Sequence, residues 1–433
     1  MEKFLFYATC LLILFLPVQF ALQPAEGIDF AASRLIIPAL FLLWVAHGFF
    51  KRRIQLPPIM PLIFLFTFLF FAATSIFAAE QETRGLRKIL FLLSFIPFYF
   101  IAYAVAGQSF VRWEKVVQAV VWSAMLAAVI GAIQFSLQFI LGITSTMHIW
   151  GEIITPFLGA SFAEAVQTYS SWLVHAGGRD FFRAIALFPD PHMFAFYLEL
   201  ALPFAVGLAC TKKRWWLFTF FAIVIFLVAM STFSRGGYVG IIAATASFLF
   251  LARKKLFHLP PRIMIGASIA IGISILVIMG PISGRLLSSF TLLDGSNAQR
   301  LTLWTQAIEI IQKQPFWGVG IGNYSLAVLP SAQYRDPIYA HNLYLDIAAE
   351  SGIFALVGWG GLLLWTFFAF ARRAHRQILF ASGAASVAAY SVHAFFETPL
   401  YSVHILPLSL VIFALGASLA KSEQHAKKDE KAP

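Results

Sequence analysis

Arg235, Arg300 and His341 have the residue types and the setting for polar chemistry beside a membrane. Arg235 sits in Thr232-Phe233-Ser234-Arg235-Gly236-Gly237, at the end of an apolar run. The glycines permit close backbone approach, and the free N–H groups at the start of the next run favour an anion. A guanidinium adds a fork of donors that matches phosphate oxygens in pairs. The plainer reading is a headgroup anchor at the bilayer surface. Arg300 falls on a predicted amphipathic helix, Asn297–Gln314. It lies at the centre of that helix's apolar face, one turn from Leu303 and Trp304. A charge aimed there must meet an anion or a cluster of carbonyls, because an unpaired buried charge is strongly unfavourable. The plainer reading is a snorkelling arginine or a pair with Asp294. His341 stands near the start of a short predicted helix and shares a face with Tyr344, Leu345 and Ala348. A neutral imidazole takes a proton from a hydroxyl near neutral pH. Asp346 and Glu350 lie far around that helix, so any group that orients His341 comes from elsewhere. The plainer reading is an interfacial or capping histidine.

Weaker candidates surround these three. Arg179 and Arg183 precede Phe188-Pro189-Asp190-Pro191-His192. They line the same outward cleft or merely finish a loop. His192, Asn342 and Tyr344 are further candidates for that cleft. Glu199 lies one to two turns inside an apolar run. An intramembrane acid is a functional candidate by default, and an interhelical partner is the plainer role.

The elements that must position these residues are membrane spans. The chain is 60% hydrophobic and 12% charged, about half the charged share of a soluble domain. Apolar runs of roughly 20 residues recur along its length, which predicts a polytopic all-α membrane protein. Alternating β-barrel segments are absent. Twelve spans are predicted: 4–22, 35–50, 59–79, 89–107, 116–141, 192–210, 215–233, 238–251, 263–280, 353–371, 378–395 and 401–420. Residues 1–420 then form one integral membrane domain with long loops at about 142–191 and 282–352. Residues 421–433 read as a basic, disordered tail. The first span is expected to remain uncleaved, because Phe20-Ala21-Leu22-Gln23 is a poor cleavage site. Twelve spans place both termini on one side. That side receives 20 of the 31 Lys and Arg, and the other receives 11. The asymmetry puts both termini in the cytoplasm and the long loops outside. The net charge of +11 is thus a topology signal rather than a nucleic-acid footprint. Two cysteines 200 residues apart and scattered histidines offer no disulfide framework and no metal motif. No cofactor and no nucleic acid are expected.

The order of these motifs resembles the bacterial O-antigen ligase and O-antigen polymerase superfamily. The features are Ser-Arg-Gly-Gly at the outward end of a span, then Arg300 with Trp304. Pro315-Phe316-Trp317-Gly318-Val319-Gly320 follows, then His341-Asn342, nine residues and Gly352. Asp190-Pro191-His192 with Ala195-Phe196-Tyr197-Leu198 resembles the family's segment at that place, where Asn often replaces His192. The motifs cover roughly residues 188–355. The resemblance implies a metal-independent, inverting glycosyltransferase with a GT-C-like helical fold. It implies an undecaprenyl-diphosphate-linked glycan donor at the periplasmic face of the bacterial inner membrane. The acceptor is a lipid A-core sugar hydroxyl in ligases and another carrier-linked glycan in polymerases. By the same resemblance Arg235 and Arg300 hold the diphosphate and His341 is the base. A flippase of lipid-linked sugars is the competing class. However, flippases place polar broken helices at mid-membrane, whereas the polar residues here gather at one face. A non-catalytic assembly protein is a third.

Overall fold

The computed structural model describes residues 1–25, 28–168, 171–256, 295–334, 336 and 338–429. The expected span at 263–280 and Asp294 lie outside them. The first half is almost wholly helical: α1 Glu2–Phe15, α2 Ser33–Phe50, α3 Ile59–Thr74, α4 Glu82–Phe95, α5 Pro97–Ala106, α6 Phe110–Leu141, α7 Ile143–Leu158 and α8 Ala160–Thr168. The remainder holds α9 Pro191–Thr211, α10 Trp215–Ser231, α11 Arg235–Leu256, α12 Gly295–Lys313, α13 Tyr324–Val328, α14 Leu343–Ser351, α15 Ile353–Ala371, α16 Ile378–His393 and α17 Ile405–Asp429. Among the described residues, seven helical segments are long and apolar enough to cross a membrane, and Trp215–Ser231, Ile378–His393 and Ile405–Leu419 are shorter apolar helices.

Several boundaries differ from the sequence expectation, each for a local reason. The span expected at 4–22 is a helix that stops at Phe15. Pro17 then sits in a 3-10 turn, and the chain turns into an antiparallel hairpin of β1 Ala21–Ala25 and β2 Ile28–Ala31. The span expected at 89–107 breaks between α4 and α5, where Pro97 opens a new helix. The loop at 142–191 is itself built. It holds α7, α8 and the hairpin of β3 Leu173–Ala176 and β4 Arg179–Phe182. Gly177 and Gly178 both take positive φ at that hairpin's tip, as a two-residue primed turn requires. The last helix continues to Asp429, into the tail that composition reads as disordered.

Helix α9 lies at the centre of the bundle. Nearly all of it is buried, and it packs against α6, α10, α11 and α16. Peripheral helices instead leave large apolar side chains exposed, such as Phe50, Phe70 and Trp216, as lipid-facing helices do. A second small core of Trp150, Ile154, Leu158, Trp172, Phe182 and Ile185 closes the 143–190 segment. It is fastened to α6 by two glutamines. Gln134 Oε1 accepts from the Ile185 N–H at 2.8 Å and Gln138 Oε1 from the Phe182 N–H at 2.8 Å.

Candidate active site

Three separate stretches converge on one carboxylate, that of Glu397. Arg300 Nη2 donates to its Oε1 at 2.9 Å, and His341 Nδ1 stands 3.0 Å from its Oε2. His192 Nε2 is 3.9 Å from Oε1. The Glu397 side chain is 3% exposed, whereas Arg300, His341 and His192 are 18%, 27% and 20% exposed. The acid is therefore the buried hub, and the three basic groups form the rim that meets solvent. Asp294 is not needed to account for Arg300.

Each rim residue is held by its own framework. Arg300 rides on α12, whose Trp304 Nε1–H donates to the Ala340 carbonyl at 2.9 Å, one residue before His341. Tyr324 OH donates to the Leu303 carbonyl at 2.9 Å and pins the same helix from the other side. His341 has φ +49°, a left-handed conformation that a non-glycine residue keeps only when its surroundings fix it. They do so on both sides. Before it, Asp346 Oδ1 accepts from the Ala340 N–H at 2.7 Å. After it, Asn342 caps α14 by accepting from the N–H groups of Tyr344 and Leu345. The Tyr339 ring packs 4.2 Å from the imidazole. Asp346 also binds the Thr398 hydroxyl, beside Glu397, so one acid ties the histidine's loop to the hub's loop. Asp190 caps α9 through the N–H groups of His192 and Met193, which sets His192 at the mouth of the bundle.

The charges reinforce this geometry. Burial by itself raises the Glu397 carboxyl, but the groups around it, His341 first among them, outweigh it and hold the group well below the usual carboxylate range. For His341, burial disfavours the cation. The charge and hydrogen bond of Glu397 prevail, and the imidazole sits above its ordinary value. Burial lifts Asp346 to about 6 against the hydrogen bonds from Thr398 and Ala340, and it lifts Asp190 to about 6 as well. With Nδ1 engaged by a carboxylate, His341 keeps Nε2 for a substrate, in the base-plus-orienter pattern of a nucleophile-activating histidine.

Arg235 opens α11 directly after Ser234, whose hydroxyl is 2.9 Å from His192 Nδ1. Its turn is fixed from below by Arg183, whose Nε donates to the Thr232 carbonyl at 2.7 Å and Nη1 to the Ser171 carbonyl at 2.9 Å. Arg183 is 3% exposed. The sequence leaves Arg183 to line the cleft or to finish a loop; its guanidinium is engaged by backbone carbonyls and braces the arginine turn. Arg179 is exposed on β4. Tyr344 donates to the Ser391 carbonyl at 2.7 Å, a tie between α14 and α16. Asn342 serves as a cap.

Sequence reasoning required an orienter for His341 but did not single out Glu397, which lies in the gap between the spans expected at 378–395 and 401–420. The signal was a lone acid between two apolar runs on the side predicted to face outward. Asp346 and Glu350 are indeed elsewhere employed, Glu350 by Lys88 Nζ at 2.7 Å.

Residues 218–360 match the family model described as O-antigen ligase. This match, over about a third of the chain, supports the resemblance to the O-antigen ligase superfamily. The matched segment includes Arg235, Arg300 and His341, whereas His192 and Glu397 lie outside it. No curated protein matches the chain.

Proposed function

We propose that this protein transfers a glycan from an undecaprenyl-diphosphate carrier to an acceptor sugar hydroxyl, as an O-antigen ligase of the bacterial inner membrane. The observation that carries the reading is Glu397 holding Arg300 through one oxygen and His341 through the other. Base and anion-binding cation are thereby fixed side by side. In this mechanism His341 Nε2 takes the proton of the acceptor hydroxyl. The acceptor oxygen attacks the anomeric carbon from the face opposite the carrier. The bond from that carbon to the diphosphate oxygen breaks, and the configuration inverts. Glu397 stabilises the imidazolium that forms. Arg235 and Arg300 take up the charge on the departing lipid diphosphate, which is the main electrostatic demand of the step. The lipid tail lies among the spans, and the glycan projects to the periplasmic side with the loops. Both termini are cytoplasmic.

The test uses purified protein in liposomes with an undecaprenyl-diphosphate-linked oligosaccharide, with and without a lipid A-core acceptor. Wild type is compared with His341→Ala. A core-dependent product, lost by about 10²-fold or more in the variant, supports the ligase reading. A ladder of longer carrier-linked glycans without core assigns a polymerase. Donor appearing in the opposite leaflet with no product overturns both in favour of a flippase.

A further inference from the structure

Behind the site, a line of hydrogen-bonding groups runs into the bundle and ends at an acid that the transfer step does not use. Glu199 Oε1 is 2.8 Å from His393 Nδ1, and both side chains are fully buried. His393 Nε2 is 3.4 Å from Ser234 Oγ, which is 2.9 Å from His192 Nδ1. His192 Nε2 then faces the Glu397 side of the site. Glu199 Oε2 has no hydrogen-bond partner among the described residues. The line is built into the packing. The His393 ring stacks on Phe196 at 3.6 Å and 4°. A Cβ at Gly236 would stand 2.5 Å from His393 Cδ2, and one at Gly240 would stand 2.5 Å from Glu199 Oε2. The glycines after Arg235 thus make room for this buried pair.

Counting protons along the line fixes its state. The Ser234 hydroxyl has one hydrogen and accepts from the Gly237 N–H at 3.2 Å, so it can donate to only one of its two histidines. His192 is the nearer. His393 must then donate its Nε2–H to Ser234, which leaves Nδ1 to accept from Glu199. Glu199 supplies that proton only as the neutral acid. This state also avoids a buried carboxylate with one oxygen unsatisfied, the arrangement that desolvation penalises most. Resting on the glycosyl-transfer reading, we infer that Glu199 is a protonated carboxylic acid. Through His393 and Ser234 it fixes His192 as the Nε2–H tautomer, a neutral hydrogen-bond donor for a donor-substrate oxygen at the mouth of the site. Glu199, His393 and Ser234 are positioning residues, and His192 is the one that touches substrate.

Two measurements test this on the full-length protein. Infrared difference spectra of wild type against Glu199→Gln, in detergent without substrate, are expected to show loss of a protonated-carboxyl C=O band. Loss of carboxylate bands instead would mean a Glu199–His393 ion pair and would overturn the assignment. This reading needs no transfer activity, so it stands or falls separately from the proposed reaction. In the transfer assay, Glu199→Gln still donates to His393 Nδ1 and is expected to stay within about threefold of wild type. Glu199→Leu cannot donate, and a loss of about tenfold or more is expected, in line with removal of a preorganised donor. A Gln variant as impaired as the Leu variant would overturn the inference, because a donor at this position would then not suffice. If the Leu variant fails to elute as a monodisperse species, the infrared spectra and the Gln variant decide the matter.

Discussion

Glu397 makes His341 a stronger base than an isolated imidazole, and under the proposed reaction the pH dependence of transfer should carry that signature. The groups acting on His341 are Glu397 and Asp346, which favour its cation, and Arg300 and burial, which oppose it. Only the neutral imidazole accepts a proton, so activity falls as pH drops through the His341 value. Glu397→Gln removes the charge that raises that value. The acid limb of the pH–rate profile should therefore move to lower pH, and the plateau rate should fall by about tenfold or more. An unmoved limb in the variant would show that Glu397 does not control the histidine. Arg300→Lys makes a separate prediction. A point charge cannot hold the Glu397 oxygen and a phosphate oxygen with the same planar fork. Transfer should fall by about tenfold or more with the protein still folded, and near wild-type rates would count against the role. At this scale much was legible in the sequence. The apolar setting of Arg300 demanded an anion, and the helical angles of Asp346 and Glu350 removed them as orienters. Glu397 was not legible, because its contact with His341 joins residues 56 apart through a turn whose path depends on the packing of two helices.

The elements around the site act as clamps, and two glycines of α15 and its entry show how finely. Gly352 ends α14 at φ +83°, and a Cβ there would stand 1.9 Å from the Phe316 carbonyl oxygen. That carbonyl belongs to the Pro315–Gly318 turn, whose own Pro315 carbonyl accepts from the Ile353 N–H at 2.8 Å. Gly352→Ala therefore strains the backbone and forces the turn away from α14. The expected cost is more than about 1 kcal/mol, seen as a lower midpoint in thermal unfolding of the detergent-solubilised protein. Gly360 lies in the middle of α15, and nothing stands within 4 Å of a Cβ placed there. Gly360→Ala should be neutral or raise the midpoint, since alanine favours a helix interior by up to about 1 kcal/mol. Equal effects at the two positions would contradict the packing described. Sequence patterning marks Pro315, Gly318, Gly320 and Gly352, since Pro and Gly favour chain reversals whatever surrounds them. It did not foresee that α4 braces this loop from the first half of the chain. There Arg84 donates to Ser325 Oγ at 3.1 Å and to the Ala332 carbonyl at 2.7 Å, contacts spanning more than 240 residues. Local periodicity carries no information about such pairings.

For the whole molecule, the distribution of Lys and Arg carries the expected sidedness, while helix lengths depend on breaks that hydropathy blurs. Helices α1 and α4 end two residues before Pro17 and Pro97, inside runs that read as continuous spans. Sidedness is the more consequential matter, because the site works only where the carrier-linked glycan and the acceptor meet. The proposed topology places the hairpin of β3 and β4 with Arg235, Arg300 and His341 on the periplasmic side. Lys213, in the short link between α9 and α10, is placed on the cytoplasmic side. Both Arg179, on that hairpin, and Lys213 are exposed, so a cysteine at either is open to reagent. The native thiols are only Cys10 and Cys210 and can be replaced by serine first. In intact cells with a permeabilised outer membrane, a membrane-impermeant maleimide should label Arg179→Cys. Lys213→Cys should be labelled only after the inner membrane is lysed. The reverse pattern would turn the bundle over and leave Glu397, with the residues it gathers, facing the cytoplasm. Labelling of both before lysis would require that α9 does not cross the bilayer, against its length, apolar composition and place at the centre of the bundle.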